Sequence, residues 1–190
     1  MRPASTDRRS KLTYAVATDG PPPRDDPGAS VSDRFQRSRI PALPTVLFAD
    51  ASEDYRTMAR DALLEGRNVT DMRTVGDSSA LLAYLERAGA TEGAVTPVPS
   101  LIVIDADLPG TPPGREAVAA IKTDPRTKRI PVVVLGGDDA AETVASWYDV
   151  GTNTYIVKPV TFLALVRLMK VFTAYWLETA ELPPGNEAAA

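Results

Sequence analysis

Five short apolar stretches recur along the second part of the chain, and each is followed by a longer stretch with apolar residues at helical spacing. Residues 101–104 and 130–135 carry no polar side chain, which is typical of parallel strands buried on both faces. Residues 69–75 alternate apolar and polar positions, as an outer strand with one wetter face does. The pattern therefore predicts strands at 45–49, 69–75, 101–105, 130–135 and 154–157.

Each predicted strand is followed by a predicted helix. Ser52 is a good N-cap for the first helix, which extends to about Glu65 and is stopped by Gly66. The buried stripe of this helix is predicted to be Tyr55, Met58, Ala59, Ala62 and Leu63. Asp77 or Ser78 caps the second helix, and the third begins after Gly114. The fourth starts at Asp138 or Asp139 and ends at Gly151. Thr161 caps a long last helix that extends to about residue 180.

Five strand–helix repeats with short connections predict the α/β class. Right-handed crossovers and strands buried on both faces give a doubly wound, open parallel sheet with helices on both faces. The two most continuously apolar strands, 101–105 and 130–135, are expected in the middle of this sheet.

The two ends of the chain have a different composition. Residues 1–43 contain Pro21, Pro22, Pro23, Pro27 and Pro41 and few large apolar residues. Such a segment cannot offset the entropy of ordering, and we expect a disordered tail. It carries eight Lys and Arg and five Asp, which leaves a net charge of −7 for the remainder of the chain. We expect a solvated linker, with docking of this basic tail as the alternative, a folded domain over 44–182 and a disordered tail over 183–190.

Composition removes several classes of chemistry. The chain has no Cys and no His, so disulfides, thiolate or imidazole catalysis and imidazole metal sites are excluded. A formal net charge of −4 gives no reason to expect nucleic-acid binding. No apolar run approaches the roughly 20 residues of a membrane span, and no signal peptide is recognisable. We expect a cytoplasmic chain whose chemistry depends on carboxylates, Lys and a hard metal ion.

Three predicted strands end in residues that could carry such chemistry. Asp50 follows the first strand, Asp105 ends the third and Lys158 follows the fifth. The carboxyl ends of parallel strands share one edge of the sheet, where ligands of such folds bind. Two neighbouring carboxylates repel each other, and Mg²⁺ relieves that repulsion. A carboxylate beside Mg²⁺ and Lys can attack a phosphoryl group.

The chain from about Leu43 to Leu182 resembles the receiver domains of two-component signalling. The matching stretches are Val46-Leu47-Phe48-Ala49-Asp50, Ile102-Val103-Ile104-Asp105 with Leu108-Pro109-Gly110, Ile130-Pro131-Val132-Val133-Val134-Leu135 and Tyr155-Ile156-Val157-Lys158-Pro159. Ile121-Lys122-Thr123-Asp124-Pro125 and Phe172-Thr173-Ala174-Tyr175-Trp176-Leu177 are similar to the stand-alone receivers that work with phytochromes.

The resemblance implies a flavodoxin-like sheet of order 2-1-3-4-5 and a role for each site residue. Asp105 would be the phosphoacceptor, and Lys158 would pair with the phosphate, followed by a cis bond to Pro159. Asp50, Asp105 and the backbone carbonyl of Asp107 would bind Mg²⁺. Tyr155 would be the aromatic switch. The implied partner is a sensor histidine kinase, of the phytochrome type if the finer resemblance holds.

Two residues depart from the family pattern. Ala49 stands where receivers carry a second acid, so Mg²⁺ binding is expected to be weak. Gly136 stands where a Thr or Ser hydroxyl normally contacts the phosphate. Because Gly has no side chain, the usual coupling between hydroxyl and aromatic ring cannot operate in its ordinary form.

The last predicted helix is apolar nearly all round, which suggests a second buried face. Receivers often dimerise through this region, so we expect a homodimer whose interface includes Trp147, Tyr148, Phe172, Tyr175 and Trp176. A thick core under the helix is the alternative. About ten residues follow this helix, so we expect no output domain and signalling by protein contact.

Three functional hypotheses follow. The first is a single-domain response regulator, not an enzyme beyond its own phosphorylation and dephosphorylation. The second is a pseudo-receiver that binds proteins independently of phosphorylation, favoured by Ala49 and Gly136. The third is a haloacid-dehalogenase-like phosphatase, because Asp105 and Asp107 resemble the nucleophile and acid of that family. That motif normally lies on the first strand, which counts against it.

Overall fold

The computed structural model describes residues 43–65, 70–89 and 96–181. The tails predicted to be disordered lie outside these residues, apart from residue 43. The strands are β1 (Thr45–Ala49), β2 (Asp71–Val75), β3 (Leu101–Asp105), β4 (Val132–Gly136) and β5 (Thr154–Val157). The helices are α1 (Glu53–Glu65), α2 (Ser78–Arg87), α3 (Gly114–Thr123), α4 (Ala141–Asp149) and α5 (Phe162–Thr173), and a π-helical turn, Ala174–Thr179, continues α5.

All strand pairs are parallel, and the strand order is β2-β1-β3-β4-β5, which confirms the predicted sheet. β1, β3 and β4 are buried along their whole length, because helices cover both faces. β2 is only half-buried, as its alternating pattern predicts for an edge strand. None of the described helices is long and apolar enough to cross a membrane.

The alternation of side chains along the strands separates two cores. On one face, Phe48, Val103 and Leu135 pack against α1 and α5, the latter through Leu165 and Met169. On the other face, Leu47, Ile104 and Val134 pack against Leu81 of α2, Val118 of α3 and Trp147 of α4. Burial of these two apolar layers supplies the main stabilisation of the domain.

Side-chain caps start three of the helices where the sequence predicts them. Ser52 Oγ accepts a hydrogen bond from Tyr55 N at 3.1 Å, Asp77 Oδ1 from Ala80 N at 2.7 Å and Thr161 Oγ1 from Ala164 N at 3.3 Å. The start of α4 is different, and the prediction there was wrong. Asp138 Oδ1 accepts from Ala140 N at 2.9 Å, a turn that precedes the helix, and the helix begins at Ala141 without a side-chain cap.

Several further boundaries differ from the prediction. β4 begins at Val132 rather than at residue 130, since Pro131 has no N–H group to donate to a neighbouring strand. The predicted last helix changes at Ala174 from α-helical to π-helical geometry. β2 begins at Asp71, so Thr70 is not part of it, and α4 ends at Asp149 rather than at Gly151. Residue 69 of the predicted second strand and Gly66, predicted to stop the first helix, lie outside the described residues.

Lys122 ties α3 to the amino ends of two strands. Its Nζ donates to the carbonyl of Ile130 at 2.7 Å and to Asn153 Oδ1 at 2.8 Å. Asn153 Oδ1 also accepts from Val132 N at 2.9 Å. Burial lowers the pKa of Lys122 to about 8, since a charged amine is poorly solvated there.

This pKa predicts a pH-dependent stability. Between about pH 8 and pH 10.5 the unfolded chain binds the Lys122 proton more strongly than the folded chain does. Stability contributed by this group therefore rises with pH. The free energy of unfolding in urea is measured for the parent and for K122M at pH 7 and at pH 9.5. The difference between the two proteins should shift in favour of the parent by roughly 1 kcal/mol over this range, after a reduction for solvent screening of a half-exposed amine. K128M, at an exposed lysine, serves as the control, and an equal trend in both variants would contradict the assignment.

Candidate functional site

The carboxyl ends of three strands bring two acids and one amine together. β1 and β3 are neighbours, with Ala49 opposite Ile104, so Asp50 and Asp105 emerge side by side. Lys158 follows β5, two strands from β3, which corresponds to roughly 10 Å at about 4.8 Å per strand. Its long side chain spans this distance across the end of β4. The predicted convergence of Asp50, Asp105 and Lys158 is present in the structure.

The Lys158 ammonium lies between the two carboxylates. Its Nζ is 2.7 Å from Asp50 Oδ2 and 2.8 Å from Asp105 Oδ2. Asp50 is 1% exposed and Asp105 8% exposed, so both charges are shielded from bulk water. Burial lowers the pKa of Lys158, but the contacts with Asp105 and Asp50 outweigh it and leave the pKa raised. Lys158 is therefore a fixed positive charge at this edge.

The two oxygens of Asp105 have different surroundings. Oδ2 accepts a hydrogen bond from Lys158 Nζ. Within the part of the chain that the structure describes, Oδ1 has only a long contact of 3.4 Å with the backbone N–H of Asp107. The side chain of Asp107 is exposed. Asp105 Oδ1 is thus the less engaged oxygen at the surface of the site.

The donor atoms suit a hard cation. Asp50, Asp105 and the backbone carbonyl of Asp107 would offer oxygen ligands, which Mg²⁺ and Mn²⁺ prefer. Among the described residues no group of three or more acidic side chains is arranged to hold a metal. Ala49 is fully buried in the core on the α2–α3–α4 face and supplies no oxygen. The set fits a divalent ion, with one carboxylate fewer than the receiver pattern has.

Two residues of α1 that were not predicted to belong to the site lie next to it. The ring of Tyr55 lies 4.3 Å from Lys158 Nζ. Arg56 Nη1 donates to the backbone carbonyls of Asp50, at 2.5 Å, and Ala51, at 3.1 Å. Tyr55 was predicted only as part of the buried stripe of α1. Its place in the first turn after Asp50 is the signal that could have linked it to the site.

The ring of Tyr155 occupies the space beside Gly136. A Cβ atom on Gly136 would lie 1.7 Å from the Tyr155 hydroxyl oxygen and 2.2 Å from ring atom Cζ. The hydroxyl donates to the backbone carbonyl of Asp138 at 2.8 Å. Any residue larger than Gly at position 136 is therefore incompatible with this position of the Tyr155 ring. The absence of a Thr or Ser hydroxyl at position 136 is what allows the ring to lie there.

The loop after β3 is attached to the start of α2. Ser78 N donates to the carbonyl of Pro109 at 2.8 Å, and Ser78 Oγ donates to that of Pro112. Ser79 Oγ donates to the carbonyl of Thr111 at 3.0 Å. The cis bond expected at Lys158–Pro159 is not present; this bond has the trans form that peptides favour, and the cis peptide bond of the described residues is Thr111–Pro112.

The residues predicted for an interface divide into two groups. Trp147 and Phe172 are each 5% exposed and belong to the two cores, so they offer little surface to a partner. Tyr148 and Tyr175 are about half exposed. Trp176 is half-buried against the α1–α5 core and makes an edge-on contact with Tyr175. The thick-core alternative thus accounts for part of the apolar helix, and Tyr148 and Tyr175 remain on the surface.

Comparison with known proteins gives a family match over most of the described chain. The model of the response regulator receiver domain matches residues 46–170. The curated protein "Response regulator Rcp1" of Synechocystis sp. is 32% identical over 143 residues, which cover 75% of this chain and 95% of that protein.

Solved structures give the same result. The phosphorylated cyanobacterial phytochrome response regulator RcpA is 32% identical, with a TM-score of 0.66, over 75% of this chain and 99% of that one. The Mn²⁺-bound form of Rcp1 is 31% identical, with a TM-score of 0.64, over 74% and 99%. A response regulator in red light signalling of R. palustris, RPA3017, is 25% identical, with a TM-score of 0.66, over 74% and 99%.

The Gly136–Tyr155 contact predicts a steep cost for one added methyl group. G136A should lower the free energy of unfolding by about 1–3 kcal/mol, because the ring must leave its position. G137A is the matched control, since a Cβ at Gly137 meets no atom within 4 Å. Urea unfolding measures both, and the cost of G136A should largely disappear in a Y155A background. A cost that persists in that background would show that another contact is responsible.

Proposed function

The chain belongs to the response regulator receiver family, and from that membership we propose that it accepts a phosphoryl group on Asp105 from a sensor histidine kinase and signals by protein contact. The observation that carries this proposal is the position of Lys158 Nζ, within 2.8 Å of both Asp50 and Asp105 at the carboxyl edge of the sheet. A nucleophilic carboxylate and a fixed cation are thereby held where a phosphoryl group could reach both.

In the proposed reaction Asp105 Oδ1 attacks the phosphorus atom, because Oδ2 is already engaged by Lys158. A new O–P bond forms while the P–N bond of the donor phosphohistidine breaks, and the imidazole nitrogen leaves with its electron pair. Lys158, which stays protonated, donates to a phosphoryl oxygen and offsets its growing negative charge. The backbone N–H of Asp107 lies next to the same carboxylate.

Mg²⁺ would be held by Asp50, Asp105 and the carbonyl of Asp107, and would neutralise charge on the phosphoryl oxygens. We expect weak binding of this ion. An outer carboxylate that orients the ligands of a metal is commonly needed for full affinity, and Ala49 cannot supply it. Rcp1, a relative of this chain, has been solved in a Mn²⁺-bound form, which supports a divalent ion here.

The partners proposed for this chain follow from its relatives. RcpA is described as a phytochrome response regulator and RPA3017 as acting in red light signalling. We propose that a phytochrome-type histidine kinase is the phosphoryl donor. We also propose that the chain is cytoplasmic, because it would encounter the kinase domain there. The chain itself would have no enzymatic role beyond its own phosphorylation and dephosphorylation.

A second candidate function is a pseudo-receiver that binds proteins without phosphorylation. The observation in its favour is that the Tyr155 ring already fills the space beside Gly136. The ring therefore does not depend on the movement of a Thr or Ser hydroxyl to take this position. The complete set of Asp50, Asp105 and Lys158 argues for phosphorylation instead. The phosphatase hypothesis does not fit, because Asp105 ends the central third strand rather than the first.

Phosphorylation can be tested with a small-molecule donor. Incubation with acetyl phosphate and Mg²⁺ should add one phosphoryl group to the parent, read by intact mass, and none to D105N. D107N is the matched control, since its carboxylate is exposed and only two residues away, and it should still be modified. Absence of the modification in the parent at high donor and high Mg²⁺ would favour the pseudo-receiver.

We also propose a homodimer through α5. Leu163 and Val171 of α5 and Tyr175 of the π-helical turn that continues it are spaced eight and four residues apart, so they lie on one side of the helix. All three are more than half exposed. We call these residues the α5 stripe. An exposed apolar stripe on a helix that is already packed on its other side is typical of an association surface.

The dimer proposal predicts a specific effect of charge on the α5 stripe. V171E should weaken self-association at least about tenfold, because the carboxylate would be buried without a partner. L64E is the matched control, since Leu64 is an equally exposed residue near the end of α1. Sedimentation equilibrium over a concentration series measures both variants. A parent that stays monomeric, or an equal loss in L64E, would contradict the α5 interface.

A further inference from the structure

Tyr55 is a buried titratable residue next to the site, and the proposed reaction gives it no role. It is the third residue of α1, and Ser52 Oγ fixes its backbone by accepting from Tyr55 N. Its ring packs against Phe48 of β1, with 6.3 Å between the ring centroids, and the residue is 9% exposed. The ring therefore has a single well-supported position between β1 and α1.

This ring contacts the Lys158 ammonium through its face. Nζ lies 4.3 Å from the ring centroid, within the distance at which an aromatic face attracts a cation. The site is largely removed from water, which strengthens such a contact. Lys158 Nζ is thus held by three groups, two carboxylates and one ring.

The hydroxyl of Tyr55 contacts the residue that follows Lys158. It donates to the backbone carbonyl of Pro159 at 3.3 Å. Burial, followed by the charges of Asp50 and Asp105, raises the pKa of Tyr55, so the hydroxyl keeps its proton and remains a donor. One side chain thereby holds both the head group of Lys158 and the backbone just after it.

We propose that Tyr55 is a positioning residue for Lys158, and that it fixes the ammonium beside Asp105 through its ring face and fixes the turn after β5 through its hydroxyl. A free lysine side chain has several rotatable bonds and a large conformational entropy. A side chain held in place loses less of that entropy when it binds a phosphoryl oxygen. The part of this proposal that concerns phosphoryl transfer rests on the proposed function, whereas the positioning of Lys158 does not.

The direct test measures the reactivity of the Lys158 amine. Brief acylation by acetic anhydride, followed by peptide mass spectrometry, gives the labelling rate of each lysine. In Y55L the rate at Lys158 should rise about threefold or more, because the amine loses its ring contact. In Y55F, which keeps the ring, the rate should stay within about twofold of the parent. Exposed Lys170 and half-buried Lys122 are internal references. Y55M replaces Y55L if the latter does not fold.

A second readout separates positioning from a merely structural role. With acetyl phosphate and Mg²⁺, Y55L should be phosphorylated several-fold more slowly than Y55F. In a K158M background the same two variants should not differ, because the ring would have no ammonium to hold. An increase in labelling at Lys158 no larger than at Lys122 and Lys170, or an equal effect in Y55F and Y55L, would overturn the proposal. If the parent is not phosphorylated at all while Lys158 labelling responds as expected, the proposed function fails and the positioning role stands.

Discussion

The contact of one ammonium with two buried carboxylates is the interaction on which the site depends. Asp50 and Asp105 lie on neighbouring strands with little access to water, an arrangement that would be unfavourable for two negative charges alone. Lys158 relieves it from the far side of β4. Removing one member of such a group leaves an uncompensated buried charge, which is strongly destabilising. The stability of the fold and the proposed phosphoryl transfer therefore require the same three residues.

The doubly wound topology explains how residues more than a hundred positions apart meet. All five strands run in the same direction, so every strand ends at one edge, and the central position of β3 places Asp105 among the ends of its neighbours. Residues from both faces of the sheet contact the site or the loop beside it. Tyr55 reaches the site from the α1–α5 side, while Ser78 and Ser79 hold the loop after β3 from the α2 side.

Much of this arrangement could be predicted from the sequence, because it follows from local patterns. Apolar runs that stop at Asp50 and Asp105 mark both the strands and the edge at which they end. The contacts of Tyr55 and Tyr155 could not be predicted in the same way, because they depend on where a ring turns after the backbone is fixed. Trp147 and Phe172, which were predicted to lie in an interface but are buried in the two cores, are a second case that the sequence could not decide. An apolar pattern indicates that a side chain is buried but does not say whether its own chain or a partner buries it.

At the start of α4 a tertiary contact overrides the capping preference of the local sequence. Asp138 and Asp139 are good capping residues by composition, but Asp138 forms its own turn, and its carbonyl receives the Tyr155 hydroxyl. The helix begins only at Ala141, after both of its capping candidates. Residue preference describes what a position can do, and tertiary contacts decide which option is used.

The bond from Tyr155 to position 138 ends on a backbone oxygen, which every amino acid carries. As far as this bond is concerned, position 138 could change its identity among relatives without effect. Position 136, in contrast, cannot gain a single carbon atom while the ring stays where it is. The steric constraint at the end of β4 thus falls on the residue without a side chain. A chain with Thr or Ser at position 136 must therefore place this aromatic ring in another position.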